Sequence, residues 1–205
     1  AEEKNIQSII KSLVTVREQI KVKLVIVGSG PYEDKLKRLV KGLALDDIVI
    51  FTGLVDNSQT AYYYKAADFF ISASTSETQG LTYIESLASG TPVLATDNAY
   101  LKSLITEPIF GRLFSGDDAI AATILDAITE TPDFDQTHYD QKLYEISAEN
   151  FALRVYEFYL DKIISNDQYL AQKGESIPRR TARIVRQAPA KTVKTVVRTP
   201  KKVAY

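Results

Sequence analysis

Ser76-Glu77-Thr78-Gln79-Gly80-Leu81-Thr82-Tyr83-Ile84-Glu85 places two carboxylates eight positions apart, with a glycine and a run of helix formers between them. The preceding segment, Asp68-Phe69-Phe70-Ile71-Ser72-Ala73-Ser74, is apolar and reads as a buried strand. The following segment, Gly90-Thr91-Pro92-Val93-Leu94-Ala95-Thr96-Asp97, reads as a turn, a strand and a strand end. Glu77 therefore falls at a strand-to-helix junction. A helix starting near Gly80 puts Glu85 within its first two turns, and both carboxylates can face the crevice where open parallel sheets bind ligands.

Such a junction has a chemical use. The uncapped N–H groups of a helix N-terminus attract phosphate. A carboxylate just inside the helix can accept hydrogen bonds from two ribose hydroxyls, and one just before it can accept from a sugar beyond the phosphates. The spacing suits a nucleotide-sugar. A lone pair of glutamates at this spacing would more often be a helix cap and a solvated helix residue, so the flanking pattern decides the weight of the reading.

Strand and helix signals alternate around the junction. Asn5 to Val16 sets Ile6, Ile9, Ile10, Leu13 and Val14 on one helical face. Leu24 to Val27 is a continuous apolar run, predicted to be a strand buried on both faces of a parallel sheet. Helices are predicted over Tyr32 to Leu43, Gln59 to Ala66 and Gly80 to Ala88, and strands over Val49 to Thr52, Phe69 to Ser72 and Pro92 to Ala95. This order predicts βαβ units and an α/β fold built on a Rossmann-like, doubly wound parallel sheet. Beyond Thr96 the pattern loosens. Phe110 to Phe114 reads as a short strand, Asp117 to Thr129 as a helix, Thr131 to Thr137 as a polar loop and Phe151 to Ile164 as an amphipathic helix rich in aromatic residues.

Four motifs in order resemble the C-terminal, nucleotide-binding half of retaining glycosyltransferases of the GT-B architecture, group 1. Val22-Lys23-Leu24-Val25-Ile26-Val27-Gly28-Ser29-Gly30-Pro31 is similar to the family's strand and G-x-G-P turn. Ile48-Val49-Ile50-Phe51-Thr52-Gly53 resembles the next strand and its exit. Tyr64-Lys65-Ala66-Ala67-Asp68 resembles the Y-x-x-A-D helix end, and Glu77 to Glu85 the E-x7-E motif. The order and spacing agree from about residue 1 to residue 165. Lys4 matches a basic residue that neutralises the donor diphosphate in the family. Its usual arginine partner would precede Ala1, so the expectation is a portion of a longer enzyme, without the N-terminal acceptor domain.

The resemblance implies roles residue by residue. Lys4 would touch the diphosphate, and backbone N–H groups near Gly80 and Leu81 would receive a phosphate. Glu85 would hold the ribose and Glu77 would orient the transferred sugar. Gly28 and Gly30 would let the backbone pass close below the donor, and Thr52, Gly53 and Leu54 would lie beside the base. A tight strand-to-helix turn needs such glycines in any case. The implied donor is a UDP-sugar, with no cofactor and no obligatory metal, because basic side chains and the helix N-terminus stabilise the leaving phosphate.

After Asp97 the chain departs from the common family pattern of two glycines and a glutamate: it reads Asn98-Ala99-Tyr100-Leu101, with Ser103 at the glutamate's place. This form is similar to bacterial enzymes that glycosylate diacylglycerol, which implies a hexose, glucose first, moved to a lipid or glycan acceptor. The alternatives are a GT-B nucleotide-sugar epimerase and a non-catalytic membrane-associated module.

The 205 residues have no cysteine, which excludes disulfides and thiolate metal sites. No signal peptide or membrane-spanning run is apparent, so the expected location is cytoplasmic, with the inner face of the plasma membrane as a peripheral site. His138 lies in a polar stretch and reads as a surface residue. Net charge is −1, but Lys173 to Tyr205 holds ten Lys or Arg and one Glu. The expected organisation is a nucleotide-sugar-binding domain over 1–172 and a basic tail over 173–205. That tail suits an anionic membrane surface. Its single aromatic residue, Tyr205, argues against nucleic acid as a partner.

Overall fold

The computed structural model describes residues 2–76, 80–130, 132–133 and 135–173. Two compact units divide the chain, Ala1–Gln136 and Thr137–Tyr205.

The first unit alternates strand and helix. A 3-10 turn, Glu2–Lys4, leads into α1 (Ile6–Val16). Then come β1 (Leu24–Val27), α2 (Glu33–Gly42), β2 (Val49–Gly53), α3 (Asn57–Ala66), β3 (Phe70–Ser72), α4 (Leu81–Ala88), β4 (Val93–Thr96), α5 (Ala99–Leu104), β5 (Gly111–Phe114) and α6 (Ile120–Thr129). Every ladder among the described residues is parallel, and they form two sets, β1–β2 and β3–β4–β5. Leu24 pairs with Val49, Phe70 with Val93 and Val93 with Gly111. Parallel pairing requires a crossover after each strand, and α2, α4 and α5 lie in those crossovers. The α/β, Rossmann-like class expected from the alternation is the class observed.

α1 ties the two sets together. Its spacing sends Ile9 and Val16 into a core with Ala73, Leu94, Phe114 and Ile120, and sends Ile10 and Leu13 into another with Leu36, Val40, Leu45 and Val49. Ile10 and Val16 are fully buried, and each such side chain contributes roughly 2 kcal/mol.

β1 departs from expectation. Its residues alternate between partly buried and exposed, and Val25 and Val27 are 43% and 41% exposed. α1 and α2 pack on the face carrying Leu24 and Ile26. α3, which reads Asn57-Ser58-Gln59-Thr60-Ala61 before its tyrosines, has no apolar stripe and buries no residue. It lies beside α4 instead. An unbroken apolar run thus does not establish burial on both faces when no crossover helix supplies a matching stripe.

The helices beyond β4 differ from expectation. α5 was not predicted, although Asn98 caps it by accepting from the Leu101 N–H at 2.8 Å. The predicted helix from Asp117 begins as a 3-10 turn, Asp117–Ala119, before α6. In the second unit, α7 (Gln136–Glu145) starts inside the expected loop and α8 (Ala148–Gln172) is longer than predicted. The Asn150 side-chain amide donates to the Glu145 carbonyl at 2.8 Å, bridging the break between α7 and α8. On α8, Leu160 is buried while Phe151, Phe158, Tyr159 and Tyr169 are exposed. His138 is exposed on α7, as a surface residue should be. The expected basic tail lies outside the described residues after Lys173. Among the described residues no helix is long and apolar enough to cross a membrane.

Candidate functional site

Parallel strands put all their carboxyl ends on one rim, where ligands of open α/β sheets bind. Three links draw the turns and loops of that rim together, and a fourth joins two of the helices beside it. The Gly28 N–H donates to the Gly53 carbonyl at 3.0 Å, joining the ends of β1 and β2. Gly28 adopts φ 102°, outside the range that a side chain tolerates well. The Tyr32 hydroxyl, just past Gly30 and Pro31, donates to Glu2 Oε2 at 2.5 Å. The Thr75 N–H, in the loop after β3, donates to the Glu3 carbonyl at 3.1 Å. The Tyr64 hydroxyl on α3 donates to Glu85 Oε2 on α4 at 3.2 Å.

The turn that carries Lys4 is therefore held between the G-x-G-P turn and the loop leading to α4. Its other side is anchored below. Asn5, in the left-handed region at φ 47°, donates from its side chain to Asp117 Oδ1 at 2.9 Å. The buried Ser8 hydroxyl lies 2.8 Å from Asn5 Oδ1 and 2.5 Å from Asp117 Oδ2. These bonds set the angle at which α1 leaves the turn, and with it the position of Lys4.

α4 starts at Gly80, which adopts φ 64° and leaves the helix without a side-chain cap. The helix dipole and the first N–H groups are thus presented to the rim. Leu81 is exposed at the first helical position. A Cβ on Gly80 would stand 2.8 Å from Tyr100 Cε1 and 3.0 Å from Tyr83 Cδ2. Tyr100 thus walls the helix start, and burial raises its hydroxyl pKa above the ordinary value of 10.0. Glu85 is exposed on the second turn.

The expected site residues divide as follows. Lys4 lies on the 3-10 turn, Gly53 ends β2, Gly28, Gly30 and Gly80 lie in the turns and loops that follow strands, and Leu81 and Glu85 lie on the first turns of α4. Thr52 is partly buried, and its hydroxyl engages the carbonyls of Ile26 at 3.4 Å and Gly53 at 3.0 Å, so that atom braces the strand ends. Leu54 is 85% exposed just beyond β2. Glu77 lies outside the described residues. Sequence reasoning did not assign Tyr64 or Tyr100 to the site. Tyr64 had a signal, its place in the helix-end motif, whereas only folding brings Tyr100 to Gly80.

Residues 1–143 match the family described as glycosyl transferases group 1. The chain belongs to the group 1 glycosyltransferases. It is 53% identical over 193 residues to the alpha-monoglucosyldiacylglycerol synthase of Streptococcus pneumoniae, a match covering 93% of this chain and 44% of that protein. It is 29% identical over 179 residues to the protein of the same name from Acholeplasma laidlawii, covering 84% of this chain and 44% of that one. The chain thus spans less than half the length of these relatives. Among solved structures, sucrose-phosphate synthase of Thermosynechococcus elongatus shares the fold with a TM-score of 0.66 at 24% identity, over 78% of this chain and 42% of that one. The C-terminal domain of a group 1 family protein, LpcC, of Francisella tularensis does so at 0.56 and 24%, over 70% of this chain and 75% of that one. The fold of this group 1 chain is the Rossmann-like half of the GT-B architecture.

Proposed function

We propose that the chain is the nucleotide-sugar-binding domain of a retaining hexosyltransferase that moves glucose from a UDP-sugar to a diacylglycerol-type lipid. The observation that carries the reading is the Thr75-to-Glu3 bond, which holds the turn of Lys4 against the loop that leads into α4 and Glu85. The 53% identity to a synthase named for a glucosyl lipid favours the lipid acceptor.

In this reading the uncapped start of α4 and the Lys4 ammonium share the charge that develops on the departing diphosphate, so no metal is needed. Lys4 acts as a compact point charge on a flexible stem. The Glu85 carboxylate accepts from the ribose hydroxyls, and Glu77 orients the hexose. Gly28 and Gly53 bring bare backbone to the base and ribose end. The acceptor enters from the half of the longer relatives that this chain does not span.

A cytoplasmic enzyme that meets a lipid must reach the inner membrane face. The ten basic residues from Lys173 onward supply the attraction, each worth on the order of 1 kcal/mol near anionic lipid. Sedimentation with phosphatidylglycerol vesicles, with and without residues 173–205, tests this part: equal sedimentation of the two would contradict it. Donor binding is tested by titrating the chain with UDP and with GDP. Saturable UDP binding that Glu85→Ala weakens is expected.

A further inference from the structure

We propose that Tyr64 is a positioning residue that holds the Glu85 carboxylate in its ribose-accepting orientation. The proposal rests on the reading of Glu85 as the ribose carboxylate.

Glu85 is an exposed side chain with three rotatable bonds, and on its own it would sample many rotamers. The Tyr64 hydroxyl donates to its Oε2 at 3.2 Å, from a residue 21 positions away on a different helix. This donor is itself fixed from two sides. The Tyr64 ring stands edge-on to Phe70 of β3, with centroids 5.4 Å apart at 81°. Phe70 packs in turn on Tyr83 of α4 at 5.9 Å. The Tyr64 carbonyl accepts from the Thr91 hydroxyl at 2.6 Å, and Thr91 is 2% exposed. The Thr91 carbonyl accepts from the buried Ser86 hydroxyl at 2.7 Å, one residue beyond Glu85. The loop returns to its start: Tyr64, Thr91, Ser86, Glu85 and Tyr64 again. The donor and the carboxylate are therefore held by the same short network.

Burial, and then the charge of Glu85, raise the Tyr64 pKa well above its ordinary value, so the hydroxyl remains a donor at neutral pH. One bond to Oε2 leaves Oε1 and the remaining lone pairs open to two further donors, the number of free hydroxyls on the ribose of a nucleoside diphosphate.

The test is calorimetric titration of the 205-residue chain with UDP and with the dideoxy analogue that lacks both ribose hydroxyls. Tyr64→Phe keeps the ring and removes the hydroxyl. It is expected to weaken UDP about tenfold and to leave the analogue's affinity unchanged. Glu85→Gln should show the same selectivity, and the double variant should be no weaker than Glu85→Gln alone. A purely structural role would weaken both nucleotides alike, so equal losses overturn the proposal, as does Tyr64→Phe binding UDP like the parent while Glu85→Gln does not. If the parent fails to bind UDP, or Glu85→Gln binds it as well as the parent, the donor reading itself falls and this proposal with it.

Discussion

The Thr75 N–H donates to the Glu3 carbonyl at 3.1 Å, joining residues 72 positions apart across the rim of the sheet. Lys4 follows Glu3 directly, so this bond sets the distance between an ammonium and the start of α4. Both would act on the same diphosphate. Lys4→Ala is expected to weaken UDP by about tenfold and to leave uridine unaffected, because only the diphosphate carries the charge. Raising the salt concentration should narrow the gap between the two proteins. Titrations with UDP and uridine at two salt concentrations measure both effects.

Gly80 starts α4 in the left-handed region with the Tyr100 ring against it. Gly80→Ala should lower stability by about 1 to 2 kcal/mol from backbone strain, with an added steric part. Adding Tyr100→Ala should recover the share of the steric part that comes from the Tyr100 ring, and leave the backbone strain and the Tyr83 contact in place. Urea unfolding of the single and double variants separates the two contributions.

Gly111 opens β5 at φ 135°, and a Cβ there would lie 1.8 Å from the Val93 carbonyl oxygen. That oxygen belongs to the backbone of the neighbouring strand, which cannot step aside. Gly111→Ala should cost at least about 4 kcal/mol, enough to leave little folded protein in thermal or urea unfolding.

Asp97 opens the loop after β4, and its carboxyl is held below the ordinary value of 3.8, first by the hydrogen bond from Lys102 and then by one from Ser115. A carboxyl lowered in the folded state stabilises the protein above its unfolded pKa, and that support is lost as pH falls through the folded value. Asp97→Asn should therefore be less stable than the parent at neutral pH, with the difference closing below about pH 4. Unfolding midpoints at neutral and acid pH check the sign.

What the chain discloses in one dimension is the local part of this arrangement. Gly80, followed by helix formers and preceded by the Phe69-Phe70-Ile71 run, announces a strand, a turn and a helix before any contact is known. The same is true of Gly28 and Gly53, whose positive φ values fit strand exits. Contacts between elements are not disclosed. Nothing in the spacing of Tyr64 and Glu85 shows that α3 lies beside α4, and nothing in Asn98-Ala99-Tyr100-Leu101 shows that the ring reaches Gly80. Exposure of Val25 and Val27 depends on what α3 lacks, which the β1 segment cannot express.

Glu85 is where the donor reading is most exposed to failure. A carboxylate that accepts from two hydroxyls loses roughly 2 kcal/mol of binding when removed, about thirtyfold in affinity. Calorimetric titration of the chain and of Glu85→Ala with UDP measures this. Saturable binding by the chain, weakened about thirtyfold in the variant, is the expected result. A chain that binds neither UDP nor GDP at millimolar concentration, or a variant that binds UDP as tightly as the parent, would contradict it.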